Sequence, residues 1–202
     1  MGDVMRNGNF SKKYSSNLDD ITLPSWLVLS ETSAVTVAKN ADSIGGLNFK
    51  RINDTGSKTL TVPTVPDNSL SAISIALVLN GLSSGTTGTL DIGFYASESD
   101  YALLRFTPAG TCTLRYCKSG VATVVDPVYL QNVGWSRFRH FKITYNFKEK
   151  TFEAQKNNGS TYLSLDNINI NKAAMIPMIR WNDSVVATTD KLLFIEVEKF
   201  YL

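Results

Sequence analysis

Histidine occurs once in this chain, at position 140, and cysteine twice, at 112 and 117. A single imidazole excludes a zinc site built on two histidines and a pair of histidine bases. Cys112 and Cys117 are five residues apart on one expected strand, so they point to opposite faces about 16 Å apart at ~3.3 Å per residue. A mutual disulfide needs Cα atoms within about 7 Å, so both are expected as reduced, buried thiols. That suits synthesis in a reducing cytoplasm. An excess of charge is also missing: 20 basic residues face 18 acidic ones, for a net charge of +2. With no basic stripe, neither nucleic acid nor a membrane surface is an expected partner. No run approaches the ~18 apolar residues of a membrane span. The stretch Met1 to Lys13 lacks the apolar centre of a secretory signal. Phosphate-binding glycine loops and cysteine clusters are absent, so no cofactor is expected.

What is present is alternation. Thr89-Leu90-Asp91-Ile92-Gly93-Phe94-Tyr95-Ala96-Ser97 runs into the acidic turn Glu98-Ser99-Asp100. Tyr101 to Thr107, the turn Pro108-Ala109-Gly110, and Thr111 to Tyr116 follow. A period of two would scatter apolar residues around a helix but places them on one face of a strand. Further strands are expected at 26–30, 34–39, 47–52, 59–65, 72–80, 122–130, 138–147, 151–156, 162–170, 174–181 and 191–202. In 72–80, Ile73, Ile75, Leu77 and Leu79 alternate with Ala72, Ser74 and Ala76, as in a central strand whose second face is also covered. Lys148-Glu149-Lys150 and Asn157-Asn158-Gly159 supply hairpin turns. Residues 1–20 are polar and read as an arm or irregular lead-in. Residues 21–202 read as one all-β domain, a two-sheet antiparallel sandwich of about fourteen strands. A chain of 202 residues buries roughly 70% of its unfolded surface in such a domain.

Gly93-Phe94-Tyr95-Ala96, the strand Tyr101–Phe106, Trp135 ahead of Phe141-Lys142-Ile143-Thr144-Tyr145, the Asn157-Asn158-Gly159 turn and the closing Leu193–Val197 together resemble the concanavalin-A-like jelly roll. Lectins, laminin-G-like domains and glucanases share that fold. A second set, Asn7–Ser11, Leu23-Pro24-Ser25-Trp26 and Tyr162–Ile168, is similar to galactose-binding-like carbohydrate modules, which are jelly rolls too. Both families serve in bacteriophage head and tail appendages. The resemblance therefore implies a virion component, self-associating as a trimer in the manner of fibres, with other virion proteins and a cell-surface glycan as partners. The alternative it implies is a carbohydrate-binding module or a glucanase-like enzyme.

The chemistry of hydrolysis is thinly represented. Two carboxylates roughly 5–9.5 Å apart must flank a glycosidic bond. Glu196-x-Glu198 places two on one face of a strand, but the glucanase pattern has three acids, and an edge strand carrying protective charge is the ordinary explanation. No catalytic residue is assigned, and the chain is expected not to be an enzyme. Oxygen-rich triplets at Glu98-Ser99-Asp100, Asn53-Asp54-Thr55 and Asn182-Asp183-Ser184 are ordinary turn sequences, so no metal is assigned. Sugars stack on aromatic faces beside amide and carboxylate groups. Trp181 with Asn182 and Asp183 is the first candidate glycan site, and Tyr101 with Asp100 the second. Trp26 and Trp135 are expected to seal the core edge.

Overall fold

The computed structural model describes residues 2–6, 9–18, 22–30, 35–39, 46–51, 58–62, 69–80, 89–107, 111–125, 128–129, 139–156, 160–170, 176–182 and 189–201. Among these residues every regular element is a strand. The first six are β1 (Gly2–Arg6), β2 (Asn9–Ser16), β3 (Val28–Leu29), β4 (Val35–Lys39), β5 (Leu47–Arg51) and β6 (Lys58–Thr61). Next come β7 (Leu70–Asn80), β8 (Thr89–Ser97), β9 (Asp100–Phe106), β10 (Thr111–Lys118), β11 (Val121–Val124) and β12 (Val128–Tyr129). The last are β13 (Arg139–Asn146), β14 (Thr151–Lys156), β15 (Ser160–Leu165), β16 (Ile176–Asn182) and β17 (Thr189–Tyr201).

They form two antiparallel sheets. The nine-stranded sheet runs β1-β2-β17-β7-β13-β14-β15, with β5 beside the first half of β17 and β4 beyond it. The eight-stranded sheet runs β11-β10-β9-β8-β16-β6-β3, with β12 beside β10. One core lies between them, as in a jelly-roll sandwich. The expected alternation places its members: Ile73, Ile75 and Leu77 from β7, Phe141, Ile143 and Tyr145 from β13, and Leu90, Ile92 and Phe94 from β8 are all buried. Rings from opposite sheets meet directly, Phe106 against Phe141 at 5.1 Å between centroids. Ser74 and Ala76 on the other face of β7, an interior strand between β13 and β17, are also buried.

Cys112 joins the core while Cys117, five positions on, is buried on the opposite face, and neither forms a disulfide. His140 is exposed, as its strand phase required. Trp26 packs at the core margin, its ring 5.9 Å from that of Tyr14. Trp135 lies outside the described residues.

Three expectations fail. Residues 2–16 are not an irregular arm: β1 and β2 form a hairpin whose second strand pairs with β17 from Ser11↔Phe200 to Ser16↔Ile195. Consequently β17 is an interior strand, and Glu196 and Glu198 do not guard an edge. Glu196 pairs with Lys13 at 2.9 Å, and Glu198 accepts the Ser11 hydroxyl at 3.0 Å. The expected strand to Ile170 also stops early, at Leu165, because Asn167 takes a positive φ of 62°. The chain then folds back so that Ile168 and Ile170 close over Tyr145. The Tyr145 hydroxyl donates to the Ile168 carbonyl and accepts the Ile170 amide.

Candidate functional site

Aspartate is disfavoured inside strands, yet Asp91 is the third of the nine residues of β8, between the buried residues Leu90 and Ile92. Alternation turns it to the face of the eight-stranded sheet that points away from the core. Register then decides its neighbours: Asp91 is opposite Arg105 on β9 and Arg180 on β16. The Arg105 fork grips it bidentately, Nε to Oδ1 at 2.7 Å and Nη2 to Oδ2 at 2.8 Å. Arg180 donates to Oδ2 from Nη2 at 3.0 Å and Nε at 3.3 Å, and the Asn182 amide adds a third donor group at 2.9 Å. Asn182 also donates to the Thr89 hydroxyl at 3.2 Å.

The Asp91 side chain is 1% exposed. Burial alone would push its carboxyl up, but the hydrogen bond and charge of Arg105, then Asn182 and Arg180, overcome that and hold it below the usual carboxylate range. A carboxylate saturated in this way stays ionised and has no proton to give. Its work is to fix two guanidiniums.

The network extends to aromatic rings. The Arg180 guanidinium lies over the Tyr95 ring, 5.7 Å from its centroid. Its Nη1 is 3.6 Å from the exposed Glu98 carboxylate, which also accepts the Tyr95 hydroxyl at 2.9 Å. Burial, followed by that carboxylate, pushes the Tyr95 phenol up, so it remains a neutral donor. Tyr95 is opposite Tyr101 in register, and their rings run nearly parallel, at 13° and 6.5 Å.

Between the arginines and the tyrosines lies Gly93, flanked in register by Met178 and Leu103. A Cβ there would sit 2.3 Å from the Ala102 carbonyl oxygen, so β9 approaches too closely for any side chain. Gly93 therefore leaves a one-residue gap between the two fixed guanidiniums and the two phenols, with the buried side chains of Met178 and Leu103 on either side of it.

The candidates from sequence separate. Asn182 belongs to the Asp91 network and Tyr101 to the aromatic pair. Asp100 is on the opposite phase of β9, in line with Ala102 and Leu104, and points to the end of the core. Trp181 stands opposite Leu90 and Lys58 in register. Asp183 and the Asn53-Asp54-Thr55 triplet are outside the described residues. Asp91, Arg105, Arg180, Tyr95 and Gly93 escaped the sequence reading. The available signal was an aspartate inside a strand with an arginine placed to oppose it across the hairpin. Among the described residues no three of His, Cys, Asp and Glu gather closely enough to hold a metal ion, and no helix is long and apolar enough to cross a membrane.

No protein-family model matches the chain, and no curated protein does so by sequence. Solved structures share the fold. A protein of unknown function from Shewanella oneidensis MR-1 superposes with a TM-score of 0.69 at 13% identity, over 96% of this chain and 87% of its own. The carbohydrate recognition domain of Emp46p, in its potassium-bound form, gives 0.63 at 12%, over 93% and 96%. The Bacillus licheniformis β-glucanase gives 0.64 at 7%, over 92% and 97%. The fold is thus that of jelly-roll lectin domains and glycosidases. At such identities the likeness reaches the fold and stops there.

Proposed function

We propose that the chain is a non-catalytic glycan-recognition module that binds through the outward face of its eight-stranded sheet at the half-buried Tyr95–Tyr101 pair. The observation that carries this reading is the Asp91 carboxylate clamping Arg105 and Arg180 beside the Tyr95–Tyr101 pair. Apolar sugar faces stack on aromatic rings, and sugar hydroxyls need donors of fixed direction. Side chains already ordered by an ion network lose little freedom when a ligand arrives. Carbohydrate recognition by a protein of the same fold, Emp46p, supports the reading.

The non-catalytic part of this reading draws its support from the surroundings of three acids, Asp91, Glu196 and Glu198. A glycosidase requires one carboxyl held protonated beside another that is ionised. Asp91 is held ionised and fully occupied, while Glu196 and Glu198 lie in the other sheet, engaged with Lys13 and Ser11. A glycan array on the purified chain should identify a bound saccharide. Tyr95→Ala and Tyr101→Ala should each weaken that binding about tenfold, or 1.4 kcal/mol, with the melting temperature little changed. Full affinity in both variants would remove the sheet face from the account.

A finer version places the module on a bacteriophage particle as a self-associating fibre or decoration component. Its support is the pair of buried cysteines outside any disulfide, suited to folding in a reducing compartment. Native mass measurement should then show a discrete oligomer, a trimer in the fibre-like case. A strict monomer at every concentration would overturn the self-association.

A further inference from the structure

Where a sheet ends, a row of backbone N–H and C=O groups points off it, and proteins protect such edges with charge, a bulge, brevity or a cover. The other end strands here are protected in these ways. β1 carries Asp3 and Arg6 in its sequence, and β4 ends on Lys39. β15 is offset by a bulge against β14, and β3 and β12 have two residues each. β11 is twice that length and ends the eight-stranded sheet, with no bulge and no further strand beside it among the described residues. No residue from 119 to 125 is charged.

The side chains of β11 are open to solvent. Val121 is 70% exposed and Val124 57%, two of the three large apolar side chains so exposed among the described residues. Ala122 is exposed between them. Pairing with β10 fixes which backbone groups are engaged. The Val125 amide donates to the Leu114 carbonyl at 2.9 Å, and the register runs on through Tyr116↔Thr123 to Lys118↔Val121. In an antiparallel ladder such hydrogen-bonded residues alternate with residues whose N–H and C=O face the other way. Val121, Thr123 and Val125 therefore face β10, and the backbone groups of Ala122 and Val124 point off the sheet.

An edge of this kind accepts an extended strand, and a second β11 supplies one. Opposed residues must share a face of the joined sheet, and the outward-pointing groups must meet. Antiparallel pairing with the two-fold axis at Thr123 satisfies both. Ala122 then exchanges its backbone bonds with the partner's Val124, and Val124 with the partner's Ala122. Thr123 meets the partner's Thr123, a favourable cross-strand pair, and Val121 covers the partner's Val125. An axis at Ala122 would instead set Val124 against Gly120, whose amide is already bonded to the Ser99 carbonyl at 3.0 Å. Charge permits the approach. Arg115 and Lys118 lie one strand back on β10, so their backbones are about 14 Å from those of their copies at ~4.8 Å per strand, beyond the screening length of ~8 Å.

Building on the self-association above, we infer that two copies of the chain join edge to edge through β11, in an isologous antiparallel dimer that continues one eight-stranded sheet into the other. The overlap covers residues 121–125 alone. That places the contact among small interfaces, below about 1,200 Å², so the dimer is weak and depends on concentration.

Sedimentation equilibrium from micromolar to millimolar protein, with amide hydrogen exchange on the same samples, tests it. A monomer–dimer equilibrium should appear. Exchange at Ala122 and Val124 should slow in step with the dimer fraction, while the Thr123 and Val125 amides stay protected at every concentration. Val124→Pro removes an N–H that only the dimer uses, at an edge position where proline is tolerated. Val121→Glu sets a carboxylate against the partner's Val125. Each should weaken association about tenfold or more. Val121→Glu should move the melting temperature by less than about 2 °C, as an exposed substitution. A trimer, or a dimer that survives both variants with exchange at Ala122 and Val124 independent of concentration, would overturn the edge pairing and leave self-association standing. A monomer at every concentration would overturn both.

Discussion

Asp91→Ala should cost about 3 kcal/mol. Removing one member of a buried ion network strands the others, typically at 3–5 kcal/mol. The lower end applies because the Arg105 and Arg180 side chains keep 25% and 14% exposure and recover some hydration. For a chain of this size the melting temperature should fall by about 6–12 °C. Glycan affinity should fall as well, because both guanidiniums lose the group that aims them. The same carboxylate gives stability a pH dependence. Its folded pKa lies below the unfolded value of ~3.9, so its contribution is complete above that value and is lost as pH falls through the folded one. In Asp91→Ala the decline of stability below about pH 4 should be shallower than in the parent. Replacing all three charges at once (Asp91→Val, Arg105→Met, Arg180→Met) should cost less than the single change, since no charge is then stranded. Urea unfolding of the three proteins decides the matter, and a single variant as stable as the parent would show that the network does not hold this face together.

Gly93→Ala should be comparably damaging for a different reason. The added methyl would sit 2.3 Å from the Ala102 carbonyl oxygen and 3.0 Å from the Leu103 Cα. Both are backbone atoms of the adjoining strand, so no rotamer change relieves the clash and β8 must separate from β9. Overpacking usually costs about 1–3 kcal/mol, and a collision with backbone belongs at or above the top of that range. Gly120 provides the contrast. A Cβ there meets nothing within 4 Å, and the penalty reduces to that of a side chain at a φ of +83°, about 1–2 kcal/mol. Thermal melts should therefore rank Gly93→Ala well below Gly120→Ala. Equal losses would show that β8 and β9 have room to adjust.

The sandwich was legible where alternation is strict. The strand expected at 89–97 is β8 and that at 151–156 is β14, residue for residue, because turn residues bound both segments. Lys118-Ser119-Gly120-Val121 was passed over, although Ser119 and Gly120 both take positive φ and make a tight hairpin turn. The N-terminal hairpin is hard to read because the sequence of β2 alternates Ser11, Lys13 and Ser15 with Phe10, Lys12, Tyr14 and Ser16, so a lysine interrupts each phase. Its partner β17 is 187 residues away where Ser11 meets Glu198. The same distance effect hid the sheet-face cluster. Arg180 reaches Asp91 across 89 residues of sequence, and only the pairing of β16 with β8 brings them together. Asn182 was singled out for its neighbours Trp181 and Asp183, but its bonds run sideways to Thr89 and Asp91. Tyr101 and Asp100 are adjacent in sequence and so suggest one site, but alternation sends them to opposite faces of β9.

The central claim is recognition without turnover. It is tested most directly by titrating the array-identified saccharide into the unmodified chain by calorimetry while assaying the same sample for new reducing ends. Saturable binding at one site per chain on the sheet face, with no reducing ends released, is the predicted result. Release of reducing ends that disappears in Glu196→Gln or Glu198→Gln would contradict it and make the chain a hydrolase.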